Sequence, residues 1–140
     1  MKELVFDTSI ETFNINGVWQ IRFNPTDSRF SRRLFDAFTE LEEKYKHSKH
    51  EMDITADKRK VFELMDRLDG EMRVIIDNVL GEGASEAIFG NTNVYAMSDG
   101  LPLWTNLFLC IMEECNDSFA REQKATNHRV KKYTEKYHKK

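Results

Sequence analysis

The stretch from Val61 to Leu80 constrains the fold of this chain more than any other part of its sequence. At about 100° per residue, its apolar side chains fall within one stripe about 120° wide. The stripe consists of Val61, Leu64, Met65, Leu68, Met72, Ile75, Ile76 and Val79. The opposite face carries charged side chains and Gly70. The pattern predicts a core-facing helix, and other segments must cover its apolar stripe.

The length and composition of the chain are typical of one soluble domain. With 140 residues, 40% of them apolar and 32% charged, it can bury one core but not a second. It contains no run of about 18 apolar residues, the length that would span a membrane. Residues 1–7 lack the basic start and the apolar stretch of a signal peptide. We therefore expect a cytoplasmic protein without a membrane segment.

Charge is divided unevenly along the chain. Residues 1–120 contain 13 Lys and Arg against 22 Asp and Glu, whereas residues 121–140 contain 8 against 2. In the last segment the apolar content falls to Val130, Tyr133 and Tyr137, too little to anchor it to a core. The division predicts a single domain over residues 1–120 and a basic tail over residues 121–140, either mobile or a frayed extension of the preceding helix.

The N-terminal part predicts a β-hairpin. Two runs, residues 11–15 and 18–23, flank Asn16-Gly17, a pair that accepts the positive φ values of a tight turn. In the second run one face is wholly apolar, with Trp19, Ile21 and Phe23. One face of the hairpin should therefore be buried.

Two registers of this hairpin fit the sequence. A strict two-residue turn pairs Asn14 with Trp19, whereas a three-residue loop with a bulge at Gly17 puts Phe13 beside Trp19 and gathers the aromatic side chains. We favour the bulged register. Because an isolated hairpin is marginal in water, we also expect residues 4–6 to add a third short strand.

A second amphipathic helix is predicted over about residues 27–47 and would cover the first. Asn24-Pro25 ends the preceding strand, and Thr26 or Asp27 can cap the first free amides. Its apolar side chains are Phe30, Leu34, Phe35 or Ala37, Phe38, Leu41 and Tyr45.

The connector over residues 47–53 contains His47 and His50, which have the spacing of half a metal site. The His-Glu-x-x-His pattern of zinc proteases is absent, so we expect a polar loop between two helices. Thr55 should then cap the helix that carries the apolar stripe.

Downstream, the sequence predicts a short and a long helix. Gly81 ends the central helix, and a helical turn over residues 85–89 precedes a loop over residues 91–100. Glu86 stands where a dinucleotide-binding loop needs glycine, which argues against a phosphate site. The third long helix opens at Leu101-Pro102. Its predicted apolar face consists of Leu103, Leu107, Phe108, Ile111, Met112 or Cys110, Cys115 and Phe119.

Together these patterns predict an α+β fold that is mostly α-helical. An N-terminal β-hairpin packs on about three main helices, and the basic tail follows. The two cysteines, Cys110 and Cys115, point about 140° apart on the last long helix, so we expect free thiols rather than a disulfide or a shared metal ion.

No active site is predicted. The four histidines lie in the connector and the tail, and the sequence has neither a nucleophile elbow nor cysteines at zinc-binding spacing. We therefore expect a protein that is not an enzyme and that takes no cofactor, metal ion or small-molecule substrate.

The basic tail is the feature that favours nucleic acid, because tyrosines that can stack on bases alternate with its cations. Its basic residues are Arg121, Lys124, Arg129, Lys131, Lys132, Lys136, Lys139 and Lys140. The acidic domain would repel phosphate, so an acidic protein partner fits the tail better.

Four stretches of the chain combine aromatic, apolar and turn residues in a distinctive order. They are Phe13–Gly17, Ile21–Asp27, Ile76–Asn91 and Leu101–Trp104. Their order resembles the small tail assembly chaperones of long-tailed, siphovirus-like bacteriophages and prophages. The likeness covers about residues 10–120 and rests on patterns of hydrophobicity and glycine.

This resemblance implies a non-enzymatic protein that binds the phage tape measure protein and tail tube subunits in the bacterial host cytoplasm during tail assembly. Self-association is compatible with that role. The alternatives are a structural virion component, such as a tail or head-to-tail completion protein, and a small nucleic-acid-associated regulator that uses the basic tail.

Two sets of side chains are candidates for partner binding. The first set is apolar and lies in segments that we expect to be mobile: Phe89, Met97 and Trp104. The second set belongs to the tail: Arg129, Lys131, Lys132, Tyr133, Lys136 and Tyr137.

Overall fold

The chain folds into an α+β structure in which helices predominate, with an N-terminal hairpin, as predicted. A computed structural model describes residues 1–125 and 127–138, the last two by their backbone only. The elements are β1 (Glu11–Ile15), β2 (Trp19–Phe23), α1 (Ser28–Ile54), α2 (Lys58–Leu80), α3 (Ala84–Phe89), β3 (Met97–Ser98), β4 (Leu101–Pro102), α4 (Leu103–Lys124) and α5 (Arg129–His138). Among the described residues, no helix is both long and apolar enough to cross a bilayer.

β1 and β2 form the predicted antiparallel hairpin, but in neither proposed register. Ile15 pairs with Trp19, and Phe13 pairs with Ile21. The loop consists of residues 16–18 and thus has the three-residue length that we favoured. The expected pairing of Phe13 with Trp19 is wrong. The first two loop residues have positive φ values, 52° and 72°. The chain therefore reverses within three residues, and the last residue of β1 pairs with the first residue of β2.

Residues 1–10 form no strand, so the predicted third strand over residues 4–6 is wrong. The carboxylate of Asp7 accepts a hydrogen bond from the backbone N–H of Ser9 at 2.8 Å, and Ser9 has a φ of 52°. This turn interrupts the extended chain just before β1. The side chains that precede it remain exposed.

α1 and α2 pack against each other as an antiparallel pair. Three polar contacts follow one another along the pair: Arg33 to the carbonyl of Asn78 at 2.9 Å, Lys44 to Glu71 at 3.2 Å and Arg67 to Glu51 at 3.5 Å. The predicted stripe of α2 faces the core, where Leu68, Met72 and Ile76 are fully buried. Asp57, not Thr55, caps this helix, because its carboxylate accepts from the backbone N–H two residues on.

α1 is longer than predicted, because the expected connector over residues 47–53 is helical. The segment contains neither Gly nor Pro, and the side chains of His47 and Glu51 lie 3.2 Å apart at helical spacing. The helix therefore continues to Ile54.

α4 closes the core against α1. The ring of Phe38 lies 5.2 Å from that of Trp104 and 6.3 Å from that of Phe108. The buried residues of α4 are Trp104, Leu107, Phe108, Ile111, Cys115 and Ser118. The prediction that Phe119 belongs to this face is wrong. Its side chain is 51% exposed, because the packed face passes through Ser118 instead.

A second, very short hairpin replaces part of the loop predicted over residues 91–100. β3 pairs with β4 around Asp99 and Gly100, whose φ values of 54° and 78° suit a two-residue turn. The helix start predicted at Leu101 is two residues too early. α4 begins at Leu103 because the two preceding residues belong to β4.

Candidate protein-binding surfaces

An apolar groove runs along α4, between the β-hairpin and α3. It consists of two adjoining depressions of about 300 and 360 Å³ that share Ile15, Asn16 and Cys110. The first is also lined by Phe13, Asn14, Ile21, Phe23, Ile111 and Glu114. The second is also lined by Ile88, Phe89, Thr92, Leu103, Asn106 and Leu107. We call this surface, which follows α4 from Leu103 to Glu114, the α4 groove.

Trp19 holds the hairpin against the end of α2 and so fixes one wall of the α4 groove. Its indole N–H donates to the carbonyl of Leu80 at 3.0 Å. Its ring packs over Gly81, where an added Cβ would lie 3.2 Å from Trp19 Cζ2. Gly81 also has a φ of 113°, which favours glycine. The helix stop predicted at Gly81 therefore also makes room for the hairpin.

A second anchor, formed by Arg73 and Asp69, holds the chain that follows α3. Arg73 Nη2 donates to the carbonyl oxygens of Gly90 and Thr92, both at 2.8 Å. Arg73 Nε donates to Asp69 Oδ2 at 2.8 Å, while Asp69 Oδ1 accepts from the backbone N–H of Val94, also at 2.8 Å. Because α2 thus binds both ends of this segment, Thr92 is fixed at the groove wall.

The elements that border the α4 groove are acidic. Residues 74–120, which form the end of α2, α3 and most of α4, contain seven Asp and Glu and no Lys, Arg or His. Residues 7–21, which include the hairpin tip, contain two acidic residues and no basic one. The next cation along the chain, Arg121, reaches back to Glu114 at 3.6 Å. The groove is therefore an apolar channel with a negative border.

Residues 16–140 match DUF6673, a family of unknown function. The chain belongs to this family. The matched region begins at the turn of the β-hairpin and includes α3, α4 and α5. No curated protein and no solved structure matches the chain significantly.

In this DUF6673 member the first four residues of the basic tail, 121–124, continue α4, and α5 begins at Arg129. On one side of α5, Val130 and Tyr133 are 68% and 55% exposed. The ammonium group of Lys132 lies 5.7 Å from the ring centre of Tyr133, and Lys131 lies 4.0 Å from Glu135. The side chain of Tyr137, together with Lys139 and Lys140, lies outside the described residues. α5 is thus a basic helix with an exposed apolar side.

The structure separates the three apolar residues predicted to bind partners. Phe89 is partly buried and lines the α4 groove, and Met97 is 62% exposed in β3. Trp104 is only 3% exposed, so its predicted place in a mobile, partner-binding segment is wrong. The reason is that its backbone N–H donates to the carbonyl of Val94 at 2.9 Å, which ties the start of α4 to the core.

The candidate residues of the tail lie together on α5. Arg129, Lys131, Lys132, Tyr133 and Lys136 are all exposed. The structure thus brings these predicted residues onto one short helix. Whether they bind a partner stays a prediction.

Sequence reasoning missed most of the groove and several exposed apolar side chains on the outer faces of α1 and α2. The latter include Phe35, Phe62 and Val74. The choice between Phe35 and Ala37 is resolved in favour of Ala37, which is buried. A signal for the groove did exist, namely the absence of every basic residue between positions 74 and 120.

Among the titratable groups of the described residues, Tyr95, Cys110 and Cys115 have raised pKa values, in each case chiefly because of burial. No group of three or more His, Cys, Asp and Glu side chains among them could hold a metal ion. Cys115 is a free thiol whose pKa is raised, chiefly by burial, which makes it a weaker nucleophile at neutral pH. Burial, with smaller contributions from Asp69 and Asp66, raises the pKa of Tyr95 to about 12. The surface features described above are suited to binding apolar chain segments.

Proposed function

We propose that this protein is a non-enzymatic tail assembly chaperone of a long-tailed bacteriophage or prophage. In the cytoplasm of the bacterial host it binds the tape measure protein, shields the apolar faces of that protein's helices and recruits tail tube subunits. Two observations support the proposal: the sequence resemblance, and a surface that can bind an apolar helix.

The observation that carries the proposal is the α4 groove. Its floor consists of core side chains such as Ile15 and Ile111, which are 8% and 4% exposed and therefore already fixed by packing. The twelve residues of α4 from Leu103 to Glu114 extend about 16 Å, which accommodates about three turns of a client helix. A groove of this kind binds the apolar stripe of an amphipathic helix.

The position of the resembling stretches supports the same surface. Ile76–Asn91 contains the end of α2, the glycine turn under Trp19 and the whole of α3. These elements form one wall of the α4 groove and its anchor. The residues that carry the likeness are therefore the residues that shape the proposed client site.

The proposal is tested by co-expression with the tape measure protein of the same phage genome. The wild-type chain should keep this client soluble and co-purify with it. Cys110→Arg places a long cation in the middle of the groove at an exposed position, and should abolish co-purification. Phe35→Arg, an equally drastic change at an exposed site on α1, is the matched control and should retain it.

Two results would contradict the proposal. The first is a client that precipitates alone while the wild-type chain stays folded in solution. The second is recovery of the chain in stoichiometric amounts from purified virions, which would instead favour a structural component of the particle. Circular dichroism of both variants shows whether a negative result reflects a lost surface or a lost fold.

A further inference from the structure

The α4 groove and α5 of the same chain have complementary shapes and charges. We propose that α5 of one copy docks in the α4 groove of a second copy, so that the protein associates with itself in the absence of a client. This inference concerns the protein alone and does not depend on what the client is.

The two surfaces match in length and in apolar character. α5 has ten residues and therefore extends about 14 Å, close to the roughly 16 Å of α4 that line the groove. Val130 and Tyr133 are three positions apart and lie on one side of α5, where they are exposed in the single chain. Seated in the groove, they would meet Phe13, Cys110 and Phe89.

The two surfaces also have opposite charge. Between Arg73 and Arg121, a stretch that contains α3 and most of α4, every charged residue is acidic, and Glu114 lines the groove itself. α5 carries four cations and one carboxylate, Glu135, over residues 129–138. A basic helix therefore gains favourable electrostatic energy from this acidic stretch, and this attraction weakens as salt is added.

The geometry of the chain favours a second copy over the chain's own groove. α4 continues for ten residues past Glu114, about 15 Å, before the connection to α5 begins at residue 125. If the chain reversed there, α5 would run back only to the level of Glu114, where the groove ends. Val130 and Tyr133 would then lie beside the last turns of α4. The tail of another copy is not limited by this connection and can reach the whole groove.

Docking of α5 in the groove of a second copy has a functional consequence. A groove that holds the tail of a second copy cannot hold a client helix at the same time. Self-association and client binding should therefore compete, and addition of the client should dissociate the self-associated complex. Because groove and tail are different surfaces, the contact generates either a reciprocal dimer or an open chain of copies.

The test is analytical ultracentrifugation of the full-length protein over a wide range of concentrations. Wild type should associate, and either Cys110→Arg in the groove or Tyr133→Asp in the tail should weaken the association about tenfold or more. Phe62→Asp on α2 removes a comparably exposed aromatic ring and should leave association unchanged. Circular dichroism of each variant verifies the fold.

The decisive measurement mixes the two weakened variants. Cys110→Arg keeps an intact tail and Tyr133→Asp keeps an intact groove, so together they should form one heterodimer that grows no further. Addition of salt should dissociate it. A wild-type chain that remains monomeric at every concentration would overturn the proposal. So would association that persists in both variants, or a mixture in which neither variant finds the other.

Discussion

The pairing of Asp69 with Arg73 supplies a prediction whose size follows from the structure. Replacing Asp69 by Ala removes the acceptor of the Val94 backbone N–H, and Val94 is fully buried. A buried donor without a partner costs about 1–3 kcal/mol. The change also removes the 2.8 Å ion pair with Arg73, whose side chain is only 19% exposed, a loss of roughly 1 kcal/mol.

The expected total is a loss of about 2–4 kcal/mol of unfolding free energy, which corresponds to a fall in Tm of roughly 6–12 °C for a domain of this size. Urea denaturation and thermal melting, both followed by circular dichroism, measure the two quantities. Asp69→Asn retains one oxygen acceptor for Val94 but not the charge, and should lose about half as much.

The matched control is Glu71→Ala, which lies on the same helix. Glu71 pairs with Lys44 at 3.2 Å, but both side chains are well exposed, so the loss should stay within about 0.5 kcal/mol. If Asp69→Ala were no more costly than Glu71→Ala, the role assigned to Asp69 as an anchor of the groove wall would be refuted.

Four further predictions concern single sites and the tail. Tyr95→Phe removes a buried hydroxyl that has no hydrogen-bond partner among the described residues, so stability at neutral pH should stay within about 1 kcal/mol. Because the folded pKa of Tyr95 is raised to about 12 from 10.0, the unfolded chain loses this proton first. Wild type should thus lose stability as the pH rises from 10 towards 12 in urea titrations, and Tyr95→Phe should lack that loss. Gly81→Ala should cost about 1–3 kcal/mol, because φ is positive there and Trp19 is close. Gly70→Ala, in a helix with open space around it, should instead stabilise by up to about 1 kcal/mol. Deletion of residues 125–140 should change Tm by less than about 3 °C at concentrations where the wild-type chain is monomeric, since their described side chains are exposed in the single chain.

Local patterns in the sequence predicted the secondary structure well where one face of an element is buried. The stripe of α2 and the alternation of β2 were correct, because the periods of helix and strand fix which side chains share a face. The errors occurred where tertiary contacts decide between similar options. Ala37 faces the core rather than Phe35, and Ser118 rather than Phe119.

Other errors came from boundaries. The connector over residues 47–53 reads as polar and loop-like, yet it lacks Gly and Pro and continues α1. Trp104 stands two residues after Pro102 and close to a loop with several turn residues, in a segment that we expected to be mobile. The hydrogen bond from its backbone N–H to the carbonyl of Val94 instead places it in the core. This contact joins two separate segments of the chain, so a local sequence pattern cannot predict it.

The sequence by itself determined the two halves of the proposed interaction as separate properties. It shows a basic, sparsely apolar tail after an acidic domain, and it shows 47 residues from Val74 to Ala120 without a single cation. Both are compositional, so no fold is needed to read them. Only the tertiary structure decided that Phe13, Phe89 and Cys110 line one groove. These residues are far apart in the chain, and their proximity depends on how Trp19 and Arg73 fasten the hairpin and the α3 segment to α2.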